Sequence, residues 1–368
     1  MQSDELSPSN LAQVNLDIFH KKDPGRVLWQ PRIDFWYDVN KKRGTLPAHL
    51  KDCSLLDVYD YVHGSIRYFV NPLRHQYEDV QVKETWVDDN SLRRVYECPV
   101  GVLSEIVHFD AYHLSSYNTE YRLKTPQDFA IFEYMLQHET WSWDQQAYEH
   151  GIQWVGGRGA PQFFYRRSPL QGLFIENMGF ENTIFMLTDH PEVIEQYLEI
   201  ASAADDALYQ VLCAAPIPIL NFGENIDTHM DPPPIWRKYL LPYYQKRVDQ
   251  LATSGKVCHI HIDGSMKPLL RLIRESPFPA IEACTPLPQG DVTLEEIKDA
   301  LGDRILLDGI PALYFLPSWP IEDLKECTQR VVELFYPNLI LGISDEPPPD
   351  SDIERVRMVG EWVQEMSF

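Results

Sequence analysis

The run Cys258-His259-Ile260-His261-Ile262-Asp263-Gly264 is the densest group of side chains able to do chemistry. Side chains of a strand alternate between faces, so His259, His261 and Asp263 share one face while Cys258, Ile260 and Ile262 share the other. In the next apolar segment Glu282 and Cys284 are in phase with each other. Imidazole, carboxylate and thiol groups converging from neighbouring strands are N, O and S donors of the kind that hold Zn²⁺, with one position left open for a reactant. A metal there would lower the pKa of a bound thiol or hydroxyl. The same spacing equally suits a neutral core histidine bonded to a carboxylate. Cys284 suits a ligand or an inert core thiol better than a nucleophile, because no base accompanies it in sequence.

Other polar groups close other apolar runs. NFGENIDTHMD holds Asn221, Glu224, Asn225 and Asp227. Glu224 or Asp227 would act as general acid or base, or hold a substrate amine, since a carboxylate in apolar surroundings has a raised pKa. Alternatively Asp227 or Asp231 caps the next helix. Asp308, before Gly309, takes either role. Asp34, Asn221, Asn225 and His259 are assigned to substrate binding. Asp345 and Glu346 follow the last apolar run, in an acidic stretch that otherwise reads as loop and helix start. WVGGRGAP, around Arg158, reads as a tight loop.

These residues need a scaffold that gathers strand ends. From about Thr125 short apolar runs alternate with longer amphipathic segments, the pattern of successive strand-helix units. Strands are expected near residues 162–167, 217–225, 256–264, 279–286, 304–311 and 338–346. Helix starts are marked by Asp189 before Pro191, Asp231 before three prolines, Thr293 with Glu296, and Pro320. Residues 53–63 read as helical, and residues 26–38 open as a strand that Asp34 closes. Four strand-helix units after Ile217, and four more strands from the N-terminal half, sum to a closed (β/α)₈ TIM barrel whose active site lies at the C-terminal strand ends. Between about residues 78 and 109, runs rich in Val, Thr and aromatics, broken by turn residues, predict an antiparallel β-hairpin insertion. Residues 1–24 read as a flexible arm, with a short helix around 11–19, ahead of a single domain over 25–368.

The chain of 368 residues carries 55 acidic against 32 Lys and Arg side chains, a net charge of −23. That excess repels nucleic acid and anionic membranes, whose binding rests on basic contacts. No stretch is apolar enough to cross a bilayer, the N-terminus lacks a signal-peptide pattern, and six scattered cysteines read as reduced thiols. A cytoplasmic protein with a small-molecule substrate is expected. The edges of the insertion offer a surface for a homodimer.

Several motifs, taken in order, resemble the uroporphyrinogen decarboxylase superfamily. They are YECPVGVLSE (residues 96–105) with LKTPQDF (123–129), SPLQGLFIENMGFENTIFMLTDHPEVI (168–194), and NFGENIDTHMDPPPIWRKYLLPYYQKRVD with GKVCHIHIDG (221–264). The resemblance runs from about Arg26 to the C-terminus and implies an (α/β)₈ barrel. It covers a haem-pathway decarboxylase and zinc-dependent methyltransferases that act with corrinoid proteins. The decarboxylase carries an Arg-rich loop after its first strand; here that region is WQPRIDFWYD, with Arg32 alone, which argues against that activity. The methyltransferases carry a His-x-Cys pair and a later Cys. Here His261 matches the His, Asp263 stands where the Cys would be, and residues 342–345 hold no Cys.

The resemblance therefore implies methyl transfer from a small methylated compound to a corrinoid or folate carrier. A Zn²⁺ or other divalent ion would be held by His261 with some of Asp263, Glu282, Cys284 and Asp345. A corrinoid protein is the implied partner. Two alternatives stand beside it: a metal-free decarboxylase or lyase acting on a small carboxylate, and a non-catalytic corrinoid-binding module.

Overall fold

Short-range capping decides where helices begin. The Thr293 side chain accepts from the Glu296 N–H, and Glu296 accepts from the Thr293 N–H, which opens helix Leu294–Leu301. Ser54 and Asp57 form the same reciprocal pair ahead of helix Leu55–Tyr61. Pro191, with its fixed φ, takes the first turn of the long helix Pro191–Ala214. His190 occupies the position before it without a side-chain capping bond, whereas Asp189 ends the preceding helix Phe180–Asp189.

The computed structural model describes residues 11–367. In chain order its strands are β1 (Leu28–Trp29), β2 (Leu73–Tyr77), β3 (Gln81–Trp86), β4 (Ser91–Cys98), β5 (Gly101–Phe109), β6 (Ser116–Glu120), β7 (Glu139–Trp143), β8 (Gln162–Phe164), β9 (Ile219–Ile226), β10 (Val257–Ile262), β11 (Ala280–Glu282), β12 (Ile305–Pro311) and β13 (Leu339–Ser344). The chain forms two compact units. No helix among the described residues is long and apolar enough to cross a membrane.

The first unit takes in the residues up to Asn71, Gln145–Tyr165 and the residues from Ile217 onward. Its parallel sheet runs β1-β13-β12-β11-β10-β9-β8. Residues 64–69 bridge the two ends of that order. Ser65 N–H donates to Trp29 O at 2.7 Å and Ile66 N–H to Arg158 O at 3.0 Å. A Cβ on Gly159 would lie 1.9 Å from Ile66 O, so only glycine permits that approach. The result is an α/β barrel. Every residue of β12 and of β13 is buried, as expected for parallel strands covered on both faces.

The barrel divides differently from the sequence expectation. Five strand-helix units, not four, follow residue 217. The N-terminal half supplies β1, residues 64–69 and β8. The strand expected from residue 26 to Asp34 shrinks to two residues, because Pro31 cannot donate to a ladder and Asp34 favours the first turn of helix Asp34–Arg43. Helix Leu11–Phe19 is also no loose arm. Its Val14, Ile18 and Phe19 pack with Leu28, Ile219, Ala280, Ile305 and Ile340 in one apolar cluster. Residues 1–10 of the expected arm lie outside the described residues.

The second unit comprises Pro72–Asp144 and Arg166–Pro216. Strands β3, β4, β5 and β6 form an antiparallel sheet, and β2 pairs with β7. The β insertion thus reaches past residue 109 to β6. Helix Asp128–Gln137 packs against β5 and against Pro191–Ala214. Buried acids here are paired: Glu105 accepts from Tyr96 at 2.8 Å and from Arg122 at 2.9 Å, and Arg166 donates to Asp205 at 3.2 Å.

Candidate active site

Strand β10 places His259 and His261 on one face, and the register with β11 sets His261 beside Glu282. Glu282 is fully buried at the centre of the group. Its Oε1 accepts from Arg67 Nη1 at 2.9 Å and from the Tyr68 hydroxyl at 2.7 Å. Its Oε2 accepts from Asn221 Nδ2 at 2.6 Å. His259 Nδ1 lies 2.9 Å from Oε2 and His261 Nδ1 3.5 Å from Oε1. Burial opposes this charge, but Arg67, His259 and His261 outweigh it and hold the Glu282 carboxyl well below the usual range.

Arg67 is 1 % exposed and ties β11 to β12. Nη1 and Nη2 both donate to Asp308, Nη1 at 3.1 Å to Oδ2, while Nε donates to Gln30 Oε1 at 3.0 Å. Room for this pair comes from β13: a Cβ on Gly342 would lie 2.4 Å from Asp308 Oδ1. Asp308 has φ 82° and Ala283 φ 64°, values that non-glycine residues rarely adopt, so the backbone is strained in the middle of β12 and just past the end of β11. The Ala283 N–H donates to Asp308 Oδ2 at 3.1 Å. Burial raises the Asp308 carboxyl against the pull of Arg67.

The two histidines are driven apart. His259 has no exposure, and its desolvation, with Arg67 and His261 adding to it, lowers its pKa against the pull of Glu282. Burial also opposes charge on His261, but Asp263 and Glu282 overcome it and push the imidazole up to about 10. Its Nε2 has no hydrogen-bond partner and lies 3.7 Å from Asp263 Oδ2. The shifts favour a neutral His259 beside a charged His261, a separation of the kind found in sites that move protons.

Arg32 completes the group. It donates to Asp345, to Glu346 Oε1 at 3.0 Å and to Glu282 Oε1 at 3.4 Å, and its guanidinium lies 5.1 Å from the Tyr68 ring centre.

The remaining sequence-assigned residues fall elsewhere or serve the backbone. Glu224 is buried and accepts from Tyr244 at 2.9 Å. Asp227 accepts from the His229 N–H at 2.6 Å and the Ser265 N–H at 2.8 Å, and so fixes a turn. Asn225 takes a φ of 54°. Asp34 accepts from Tyr59 at 2.5 Å, and burial raises its pKa. Because Ala283 leaves the extended conformation, strand alternation does not carry from Glu282 to Cys284. The Cys284 thiol is fully buried and is pushed well up by burial and by Asp308.

The fold has matches among solved structures. It resembles that of a methyltransferase from Methanosarcina mazei. That likeness has a TM-score of 0.61 at 13% identity, over 98% of this chain and 99% of the other. A B12-independent methionine synthase from Shewanella sp. W3-18-1 aligns at TM-score 0.43 and 9% identity, over 87% and 89% of the two chains. A putative vitamin-B12-independent methionine synthase from Listeria monocytogenes aligns at 0.41 and 12%, over 92% and 96%. No family model and no curated relative matches the sequence. The likeness to the M. mazei methyltransferase is one of fold.

The donor set does not fit a divalent metal. Among the described residues, no group of three or more His, Cys, Asp or Glu is arranged to hold one. His261, Asp263, Glu282, Cys284 and Asp345 do not converge as ligands. Glu282 is saturated by Arg67, Tyr68 and Asn221, Asp345 is bonded to Arg32, and the Cys284 thiol keeps its proton. Two guanidinium groups already supply the positive charge a metal would bring.

Sequence reasoning missed Arg67, Tyr68 and Gln30. The available signal was SIRYF, residues 65–69, a β-prone segment with one arginine between apolar neighbours. Its shortness and its lack of a following helix hid it as a barrel segment.

Proposed function

We propose that the chain is a methyl-transfer enzyme of the uroporphyrinogen decarboxylase superfamily, acting on a small methylated compound at the C-terminal end of its barrel. His261 carries the reading: a buried imidazole whose pKa is raised by its contacts with Glu282 and Asp263, and whose Nε2 makes no hydrogen bond. The fold shared along the whole chain with the M. mazei methyltransferase supports the reaction class.

In this reading the bond from the methyl carbon to a substrate heteroatom breaks, and its electron pair stays on the heteroatom. The methyl group joins a nucleophilic acceptor, for which a corrinoid and a reduced folate are the two candidates. His261 Nε2–H gives its proton to the departing heteroatom, and its charge stabilises that atom as negative charge develops. Glu282 restores the charge on His261 when a proton returns from solvent. Asn221 and Tyr68, bonded to each other at 2.6 Å, and Arg67 hold Glu282 in place.

A second reading has one observation in its favour. Charged His261, whose Nε2 makes no hydrogen bond, suits a metal-free lyase or decarboxylase acting on a small carboxylate, in which it protonates the carbanion, while Arg32 and Arg67 stay paired with their own carboxylates. The test is to incubate the full chain with a panel of ¹³C-methyl ethers, amines and thioethers, offering cob(I)alamin or tetrahydrofolate. Label should appear on an acceptor, and the rate should fall at least 100-fold in His261→Asn. Release of CO₂ from carboxylate substrates without any methyl transfer would move the assignment to the second reading.

A further inference from the structure

At the opposite end of the first strand, a cleft of about 260 Å³ lies outside the barrel, between β1, the terminal helix Ile353–Glu365 and the start of helix Leu11–Phe19. Arg26 and Trp29 line it, with Leu11, Val363 and Met366 as its apolar wall. Two donors in this cleft are unsatisfied. Arg26 Nη2 and Trp29 Nε1 are both buried and, among the described residues, have no hydrogen-bond partner. Trp29 is 3 % exposed, and an indole N–H can only donate.

The indole edge is oriented by close packing. A Cβ on Gly360 would lie 3.2 Å from Trp29 Cδ1 and 2.4 Å from Val62 O. The ring edge that carries Cδ1, and Nε1 next to it, therefore faces the terminal helix, while the stacked Phe315 ring lies 6.4 Å away, centre to centre. Arg26 forms no ion pair with a described residue, and among the described residues no carboxylate lines the cleft. Desolvation alone acts on it and lowers its pKa.

A part-buried guanidinium without a partner, and a buried indole N–H without an acceptor, are each unfavourable, and one anion with two oxygens removes both costs. The opening is larger than the roughly 150 Å³ that holds a benzene ring in an engineered apolar cavity. We propose that this cleft binds a small organic carboxylate, with its oxygens on Arg26 and Trp29 Nε1 and its apolar body against Leu11, Val363 and Met366. The site is separate from the His261 group and does not depend on the reaction assigned to it.

Calorimetry on the full chain with benzoate, butyrate and inorganic phosphate tests this. Benzoate should bind more tightly than phosphate and should raise the melting temperature. Its affinity should fall at least tenfold in Arg26→Met and in Trp29→Phe, and stay within twofold in His261→Asn. Arg26→Met should also melt higher than the wild type without ligand, having lost an uncompensated charge, and show no benzoate-dependent rise. Trp29→Phe keeps the aromatic packing and gives a reading even where Arg26→Met folds poorly. The site is overturned by absence of carboxylate binding, by phosphate binding more tightly than benzoate, by undiminished affinity in Arg26→Met or Trp29→Phe, or by loss of binding in His261→Asn.

Discussion

His259 Nδ1 lies 2.9 Å from one oxygen of Glu282 and His261 Nδ1 lies 3.5 Å from the other, so one carboxylate serves two imidazoles. They differ in what surrounds them. His259 has full burial and the neighbouring cations against its charge, whereas His261 has Asp263 as a second acid. The strand's period of two placed both rings on one face, and the unequal surroundings gave them different protonation states. That inequality lowers the pKa of one ring and raises that of the other.

The first prediction concerns pH. The His261 pKa is raised in the folded state, to about 10 from an unfolded value of 6.5. Its contribution to stability is therefore fully present below about pH 6.5 and is lost as pH rises to about 10. His261→Asn should be markedly less stable than wild type at pH 6, and that difference should shrink by pH 10. Urea unfolding at the two pH values measures it, and NMR titration of the two rings should find His259 neutral and His261 charged at pH 7. A deficit that grows with pH would contradict the assignment.

Arg67 offers a test of the buried ion network. Both Arg67 and Asp308 are buried, and Glu282 shares the same guanidinium. Removing one partner of such a pair leaves an uncompensated buried charge, at a cost of roughly 3–5 kcal/mol. Arg67→Met should lose stability on that scale in urea unfolding. The double variant Arg67→Met with Asp308→Asn should recover part of the loss, since one of the stranded charges is gone. Equal stability of Arg67→Met and wild type would remove the network from any role in holding the strand ends.

Much of the barrel was legible because its later strands are continuous apolar runs between clear helix caps, as with β10, β12 and the Thr293–Glu296 box. The histidine row was legible for the same reason, since alternation is a local property. Arg67 and Tyr68 were not, because residues 64–69 are held by Trp29 and Arg158, partners far away in sequence, and have no periodic pattern of their own. The phase from Glu282 to Cys284 failed at one residue, Ala283, whose φ of 64° answers to the Asp308 carboxylate that its N–H meets. Whether a carboxylate binds a metal or an arginine is likewise a tertiary fact. Glu282 and Asp345 read as metal donors only while Arg32 and Arg67 were out of view.

Thiol reactivity should separate by burial. Cys258 and Cys284 are both buried, and burial pushes the Cys258 thiol up to about 12. Since the thiolate is the reactive form, neither should be alkylated by iodoacetamide at pH 7.5 while the chain is folded. Cys53, Cys98 and Cys213, at intermediate exposure, should react before them. Peptide mass spectrometry after timed labelling reads the order, and Cys284→Ala should leave the rate of the proposed methyl transfer within about threefold of wild type. Rapid native labelling of Cys284 would restore it as a candidate nucleophile.

Metal removal gives the last test, and it bears on the donor set directly. Arg32 bonds Asp345 and Arg67 bonds Glu282, so a divalent ion at His261 would have to displace two guanidinium groups or sit beside them. Either arrangement brings like charges together in a buried place, where their repulsion is strongest. Dialysis against a chelator should then leave the melting temperature unchanged, and Zn²⁺ added back should not bind one-to-one in a way that His261→Asn abolishes. Replacing both arginines, as Arg32→Met with Arg67→Met, frees the acids and should raise Zn²⁺ affinity at least tenfold in a competition titration. One tightly held metal ion in the wild type, lost together with thermal stability in His261→Asn, would overturn the arginine-neutralised description of the site.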